Sequence, residues 1–427
     1  MPAPLYDALV RYKEAGRSSF HTPGHKNNPK ALPKDLFELD YTELPETGSL
    51  FDGTFPISEA EKFASELFGT ARTCISAGGC TLCIQAMLRL AAPRGGKILC
   101  SRVIHRSAVN AMALLGIEPV WAMPENIAAV LGKNSDVKAV YITSPDYYGR
   151  IIDIKPIAAL CGQSSIPLLV DCAHGTQLMF TKPKLHPLLF GAAMTADSAH
   201  KTLGVLTGGA WLNIADSRFA GGAKEAMSLF GSTSPSYPVM ASLDICREML
   251  QNNGLNFTTV QEKVKEIREL AHSLGVTSPE GLTDPTRITL NTAAVGITGS
   301  QAAEFFRKSG VEPEYADRAY VIFIATPFNT GIDFERLANA IKSLPVGKPL
   351  PVNTSLPPLP PVNAGLREAV LAENEYVPLE NALGRTAAET VCPCPPGIPV
   401  VMPGETITNA VLPFLRGYGF SKIKVLK

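Results

Sequence analysis

The chain has no surplus of charge of either sign: 39 Lys plus Arg stand against 39 Asp plus Glu in 427 residues. Without a net basic field or a Lys/Arg cluster, attraction to nucleic acid or to an anionic membrane is not expected. No apolar run approaches the roughly 18 residues that a spanning helix needs. The first residues, MPAPLYDALVRYKEAG, read as an amphipathic helix rather than a signal peptide. The nine cysteines form no regular framework, and without a secretory signal they point to a reducing cytoplasm. Cys80 and Cys83 have CxxC spacing, but no second pair and no histidine at zinc-finger distance follows. No metal site is therefore expected, and both cysteines read as small buried residues. No internal repeat is visible.

What is present is an alternation of helix-like and strand-like segments from about residue 58 to 345, the pattern of an α/β fold with a largely parallel sheet. SEAEKFASELFG is helical by apolar spacing and stops at Gly69. TCISAGG is a short strand and glycine turn, and TLCIQAMLRLAA is the helix after it. VKAVYITSP, IPLLVDCAHG and AAMTADSAH are apolar, β-branched runs with polar endings. Parallel strands present ligands at their carboxyl ends, so chemistry is sought at those endings. The expected organisation is an N-terminal arm (1–57), a large domain (58–254), a small α/β domain (255–345), a proline-rich linker (346–362) and a C-terminal unit (363–427).

Lys201 sits in TADSAHKTLG with Asp197 as its one charged neighbour in that run. A lysine becomes a covalent catalyst when desolvation or a nearby cation lowers its pKa, because only the neutral amine attacks a carbonyl. His200 and the apolar strand before it supply part of that setting. Thirty residues upstream, VDCAHG places Asp171 at the end of another buried strand, followed by His174. A buried carboxylate is costly without a positive partner. The protonated ring nitrogen of pyridoxal 5′-phosphate is one such partner, and a lysine Schiff base with an acid facing that nitrogen is what proteins commonly offer this cofactor. Glycines, Thr81 and a helix start in SAGGCTLCIQAM form an arrangement that binds phosphate through free backbone N–H groups. Ser198 stands three residues before the lysine and adds a hydroxyl.

With these residues in view, the chain resembles the pyridoxal-phosphate-dependent ornithine/lysine/arginine decarboxylase family of the aspartate-aminotransferase fold type (fold type I). FHTPGHK, LDYTELPETGSLFDGTFPISEAEKFASELFG, GGCTLCIQAM, IHRSAVNAMALLGIEPVW, ITSPDYYGRIIDI, DCAHG, SAHKTL, GSTSPSY and PCPPGIPVVMPGE carry the resemblance, in the family's order. It implies that Lys201 holds the cofactor, Asp171 pairs with the ring nitrogen and His105 stacks on the ring. Gly79, Cys80, Thr81, Ala173, His174, Ser198 and His200 complete the cofactor contacts, with Lys201, His200, Asp171 and His105 as the catalytic set. Ser232 and Thr233 would close the phosphate site from a neighbouring subunit, which implies a homodimer or higher homo-oligomer with shared active sites. Cys80 stands where the family often has a hydroxyl, a weaker donor, and Cys172 where it often has an acid or serine. The match lacks the receiver-like N-terminal wing of the large members.

The resulting expectation is decarboxylation of arginine, lysine or ornithine to an amine of polyamine metabolism. Glu405 in MPGE, and Glu314 and Asp317 in EPEYAD, are candidates to receive the distal cation of a basic substrate. Loop acids of this kind are by default exposed charge, and His21 and His25 read equally as ordering residues of the arm. Another fold-type I activity (aminotransferase or lyase) or a non-catalytic regulatory relative stays open. No arginine stands where an aminotransferase's carboxylate clamp is expected.

Overall fold

In the computed structural model, residues 13–26, 28, 30, 36–351, 357–392 and 399–427 are described. Most of the expected first helix, the middle of the proline-rich linker and much of PCPPGIP lie outside the described residues.

In chain order the strands are β1 (Ser18–Phe20), β2 (Arg72–Ser76), β3 (Gly96–Ser101), β4 (Ile117–Ala122), β5 (Val140–Thr143), β6 (Leu168–Asp171) and β7 (Met194–Asp197). They continue as β8 (Ala210–Ile214), β9 (Arg287–Asn291), β10 (Val311–Pro313), β11 (Tyr315–Ala316), β12 (Tyr320–Ile324), β13 (Asn374–Pro378) and β14 (Lys422–Leu426). Seven of these form the central sheet in the order β2-β8-β7-β6-β5-β3-β4. All its pairings are parallel except the two made by β8, which runs antiparallel to both neighbours. Every residue of β6 and β7 is buried, because helices cover both faces of the sheet and leave no polar side for alternation to mark. The helix Ile57–Phe68 ends at Gly69, whose left-handed φ of 67° directs its N–H to the Ser65 carbonyl.

A second core gathers around the antiparallel sheet β11-β12-β9 and the helices Phe257–Ser273, Gly299–Lys308 and Gly331–Lys342. The last two helices begin with reciprocal side-chain caps, Thr298 with Gln301 and Thr330 with Asp333. The arm joins this core: β1 pairs in parallel with β10, and Phe20 packs edge-on against Phe323 and Phe334. The antiparallel pair β13-β14 and the helix Val411–Gly417 enclose a further apolar cluster of their own.

This C-terminal unit is tied to the end of β3 by a buried ion pair. Arg102 donates from Nη1 and Nη2 to the two oxygens of Glu405 at 2.6 and 2.7 Å, and both side chains are 2 % exposed or less. The Met402 N–H also donates to Glu405. Its carboxylate is thus committed to Arg102 and its own loop, which corrects the expectation that it receives a substrate cation.

Candidate active site

A cavity of 280 Å³ opens at the carboxyl ends of β5, β6 and β7. Gly79, Cys80, Thr81, His105, Asp171, Ala173, His174, Ser198, His200 and Lys201 all line it, so residues spread over more than a hundred positions converge there. Parallel strand order explains this: β5, β6 and β7 are adjacent, and each delivers its polar last residue and following loop to the same edge.

Lys201 lies in the short helix Ala199–Thr202 that follows β7. Its Nζ is 3.1 Å from His174 Nε2. Burial lowers the lysine pKa against the opposing pull of Cys80, Asp171 and Glu314. Burial also drives the His174 pKa well below the ordinary imidazole value, helped by the Lys201 and Arg287 charges. The FHTPGHK segment presses on this lysine helix: the Gly24 N–H donates to the His200 carbonyl at 2.6 Å. A Cβ at Gly24 would stand 2.4 Å from the Leu203 carbonyl oxygen, so only glycine permits the approach.

Asp171 is 2 % exposed. It accepts from the Tyr141 hydroxyl at 3.3 Å and from the Ala173 N–H at 3.1 Å. Both donors are neutral, and burial raises the carboxyl pKa with Lys201 opposing. His105 caps the helix Arg106–Leu115, its Nδ1 held by the Ser107 N–H at 3.2 Å and hydroxyl at 2.7 Å. Burial, then the Lys201 charge, brings its pKa down to about 4. His200 donates from Nδ1 to the Gly209 carbonyl at 3.1 Å, which leaves Nε2 as its basic nitrogen. Burial lowers its pKa to about 4. Both imidazoles are therefore neutral at pH 7.

The cavity suits pyridoxal 5′-phosphate on grounds of its own chemistry. It holds an amine with a depressed pKa and, across from it, a buried carboxylate with only neutral hydrogen-bond donors. The helix Gly79–Ala91 points its start into the cavity with no side-chain cap on its first turn, the condition for anion binding by backbone N–H groups. The Thr143 hydroxyl, which lines the same cavity, is buried without a hydrogen-bond partner. An orphaned hydroxyl on a cavity wall is a place for a ligand atom.

The remaining expected residues fall elsewhere. Ser232 and Thr233 are exposed and outside the cavity lining. Asp317 accepts from the Tyr148 hydroxyl at 2.7 Å and from the Ala319 and Tyr320 N–H groups. It organises its own turn, which corrects its reading as a substrate acid. Glu314 is half-buried, accepts from the hydroxyl of the cavity-lining Tyr147 at 2.8 Å, and faces Lys201 and His200 electrostatically.

Sequence reasoning missed Tyr141, Thr143, Tyr147 and Arg287. For Thr143 the signal existed, since it is the polar ending of β5 and pairs in register with Asp171. For Arg287, in the small domain's β9, no local pattern distinguishes it from a surface arginine, yet it is 1 % exposed and reaches His174 Nδ1 at 3.3 Å.

The chain matches the family described as Orn/Lys/Arg decarboxylase, major domain, over residues 3–133 and 125–278, and the corresponding C-terminal domain over 357–419. It is 30 % identical to an arginine decarboxylase of Halalkalibacterium halodurans, over 97 % of this chain and 92 % of that protein. Identity to the constitutive lysine decarboxylase of Escherichia coli is 23 %, over 96 % of this chain and 77 % of the relative. The fold superposes on the crystal structure of the Francisella novicida lysine decarboxylase LdcF with a TM-score of 0.77 at 18 % identity, covering 92 % of this chain and 75 % of that one.

Proposed function

The chain belongs to the Orn/Lys/Arg decarboxylase family, and from that premise we propose that it removes the α-carboxylate of arginine, lysine or ornithine and supplies the amine to polyamine synthesis. The observation that supports this reading best is the position of Lys201, its Nζ 3.1 Å from His174 and facing the same cavity as the buried Asp171. In this reading Lys201 Nζ holds the cofactor, Asp171 faces its ring nitrogen and His105 lies against the ring. The uncapped start of the helix at Gly79, with Thr81 and Ser198, takes the phosphate. Bound there, the cofactor supplies an electron sink for the pair left behind when CO₂ departs.

The chain's own groups do the rest. The Asp171 carboxylate, shielded from water, stabilises a proton on the atom opposite it. After CO₂ has left, a proton is returned to the substrate's α-carbon from Lys201 Nζ, or from His200 Nε2 once that nitrogen has itself taken up a proton, both residues being within the cavity lining. Glu314, which accepts from the Tyr147 hydroxyl and the Thr22 N–H, is the acid proposed to meet the substrate's distal cation. Tyr147 lines the cavity and the Glu314 charge acts on Lys201 and His200, whereas the Glu405 charge is neutralised by Arg102 and Asp317 holds its own turn.

The test is to incubate the cofactor-loaded protein with each of the three amino acids and identify the products. Release of CO₂ with agmatine, cadaverine or putrescine is expected. Formation of a keto acid instead would replace this reading by an aminotransferase.

The exposed Ser232 and Thr233 are proposed to act on the phosphate of a second copy. A Lys201→Ala protein mixed with a Ser232→Ala/Thr233→Ala protein should regain amine release, because each heterodimer contains one site free of both lesions. Confirmed subunit exchange without recovered activity, given an inactive double variant, would mean that one chain closes the site alone.

A further inference from the structure

Arg287 is fully buried, yet its Nε and Nη1 have no hydrogen-bond partner. Asp284 lies 3.7 Å from Nε, an ion-pair distance too long for a hydrogen bond. Asp284 itself is occupied by Gln177 Nε2 and by the Thr286 hydroxyl and N–H. The hydrogen bonds of the guanidinium run from Nη2 to His174, at 3.3 Å to Nδ1 and 3.5 Å to the carbonyl. A cation buried with two nitrogens unsatisfied is destabilising. An arrangement kept at that cost points to a role at its one well-served neighbour.

The chemistry of that neighbour is directional. A guanidinium has N–H donors and no acceptor, so His174 Nδ1 must offer a lone pair. The proton of the neutral imidazole is then on Nε2, the atom 3.1 Å from Lys201 Nζ. An N–H aimed at Nζ needs a lone pair there, which the free amine has and the ammonium lacks. A protonated Lys201 would need the opposite tautomer, with an Nδ1–H facing the Arg287 N–H.

We propose that Arg287 is a positioning residue that locks His174 in the Nε2–H tautomer and thereby holds Lys201 as the uncharged amine ready for the cofactor carbonyl. The small domain thus sets the protonation state of a lysine on the large domain. Tyr147, edge-on to the His174 ring at 4.8 Å, keeps the ring plane between the two. The charged and titratable groups facing His174 are Lys201, Arg287, His105 and His200, and those facing Lys201 include Cys80, Asp171, Glu314 and Arg287. The inference rests on Lys201 being the reactive amine, but its readouts need no turnover.

The test uses the full-length protein freed of cofactor. ¹⁵N-histidine NMR, with His174 assigned by a His174→Phe variant, reports the tautomer directly. The wild type is expected to show protonated Nε2 and bare Nδ1. A protonated Nδ1 would overturn the proposal, whatever any variant does. In parallel, the rate of Lys201 modification by trinitrobenzenesulfonate is followed against pH, reading the Lys201 peptide by mass spectrometry. Arg287→Met is expected to move the midpoint upward by about one pH unit or more, roughly tenfold slower modification below it, and to populate the Nδ1–H tautomer. Arg287→Lys retains a buried donor and is expected to keep the wild-type tautomer. It also remains informative if the methionine variant does not fold. An unchanged tautomer and midpoint in a folded Arg287→Met protein would reduce Arg287 to packing.

Discussion

Lys201→Ala is expected to lower steady-state decarboxylation by at least about 10⁴-fold, more than about 5 kcal/mol of barrier, while leaving the fold intact. Two losses coincide: the amine proposed to hold the cofactor and one of the two groups proposed to return a proton to the α-carbon. The structural cost is small, because Lys201 has its side chain in the cavity and its Nζ makes one contact of note, with His174. Burial lowers the Lys201 pKa, so the unfolded chain binds this proton more tightly than the folded one and the lysine costs stability at neutral pH. Thermal denaturation of the cofactor-free variant should therefore match or exceed that of wild type. The assay is amine release with no amine added to the buffer. Sustained turnover under those conditions would sink the assignment of Lys201.

Asp171→Asn is expected to retain bound cofactor but lose at least about 100-fold in turnover, roughly 3 kcal/mol. Asparagine is nearly isosteric and its carbonyl can still accept from the Ala173 N–H, so the cavity keeps its shape. What disappears is the negative charge proposed to favour a proton on the cofactor's ring nitrogen. A rate within about threefold of wild type would assign Asp171 another role.

The same substitution carries a second signature in the cofactor-free protein. Burial raises the Asp171 pKa, so the folded chain binds a proton more tightly here than the unfolded one does. The carboxylate therefore costs no stability below its unfolded pKa of about 4, and an increasing amount as pH rises from there until the raised folded pKa is passed. Asp171→Asn should accordingly be more stable than wild type at neutral pH, with an advantage that shrinks as pH falls toward 4. Urea unfolding at several pH values measures it.

Several of these residues are legible in the amino-acid sequence alone. Lys201, Asp171 and His200 each sit at or just after the polar end of an apolar strand, and parallel strands deliver such ends to one edge. Helix limits such as Gly69 are legible for a similar reason: a left-handed stop is written into one residue. The antiparallel β8 is not, because a fully buried five-residue run looks alike in either direction. Nor is the arm's attachment to the small domain, where Phe20 fills a core made of residues some three hundred positions away.

The sequence by itself thus determined the chemistry that is local: an α/β succession, a lysine and an acid on neighbouring strand ends, a glycine-led helix start, and membership in a family through ordered motifs. Only the tertiary structure decided how the acids and arginines are used. Glu405, Asp317 and Glu314 look alike as loop carboxylates, but one is neutralised by Arg102, one organises a turn, and one meets a cavity-lining tyrosine. Arg287 is unremarkable in the chain and becomes the neighbour of His174 only when β9 is folded against the loop after β6. Strand and helix preferences act over a few residues, whereas the partner of a charge is set by packing between segments far apart in sequence, and a single chain of letters does not encode that distance.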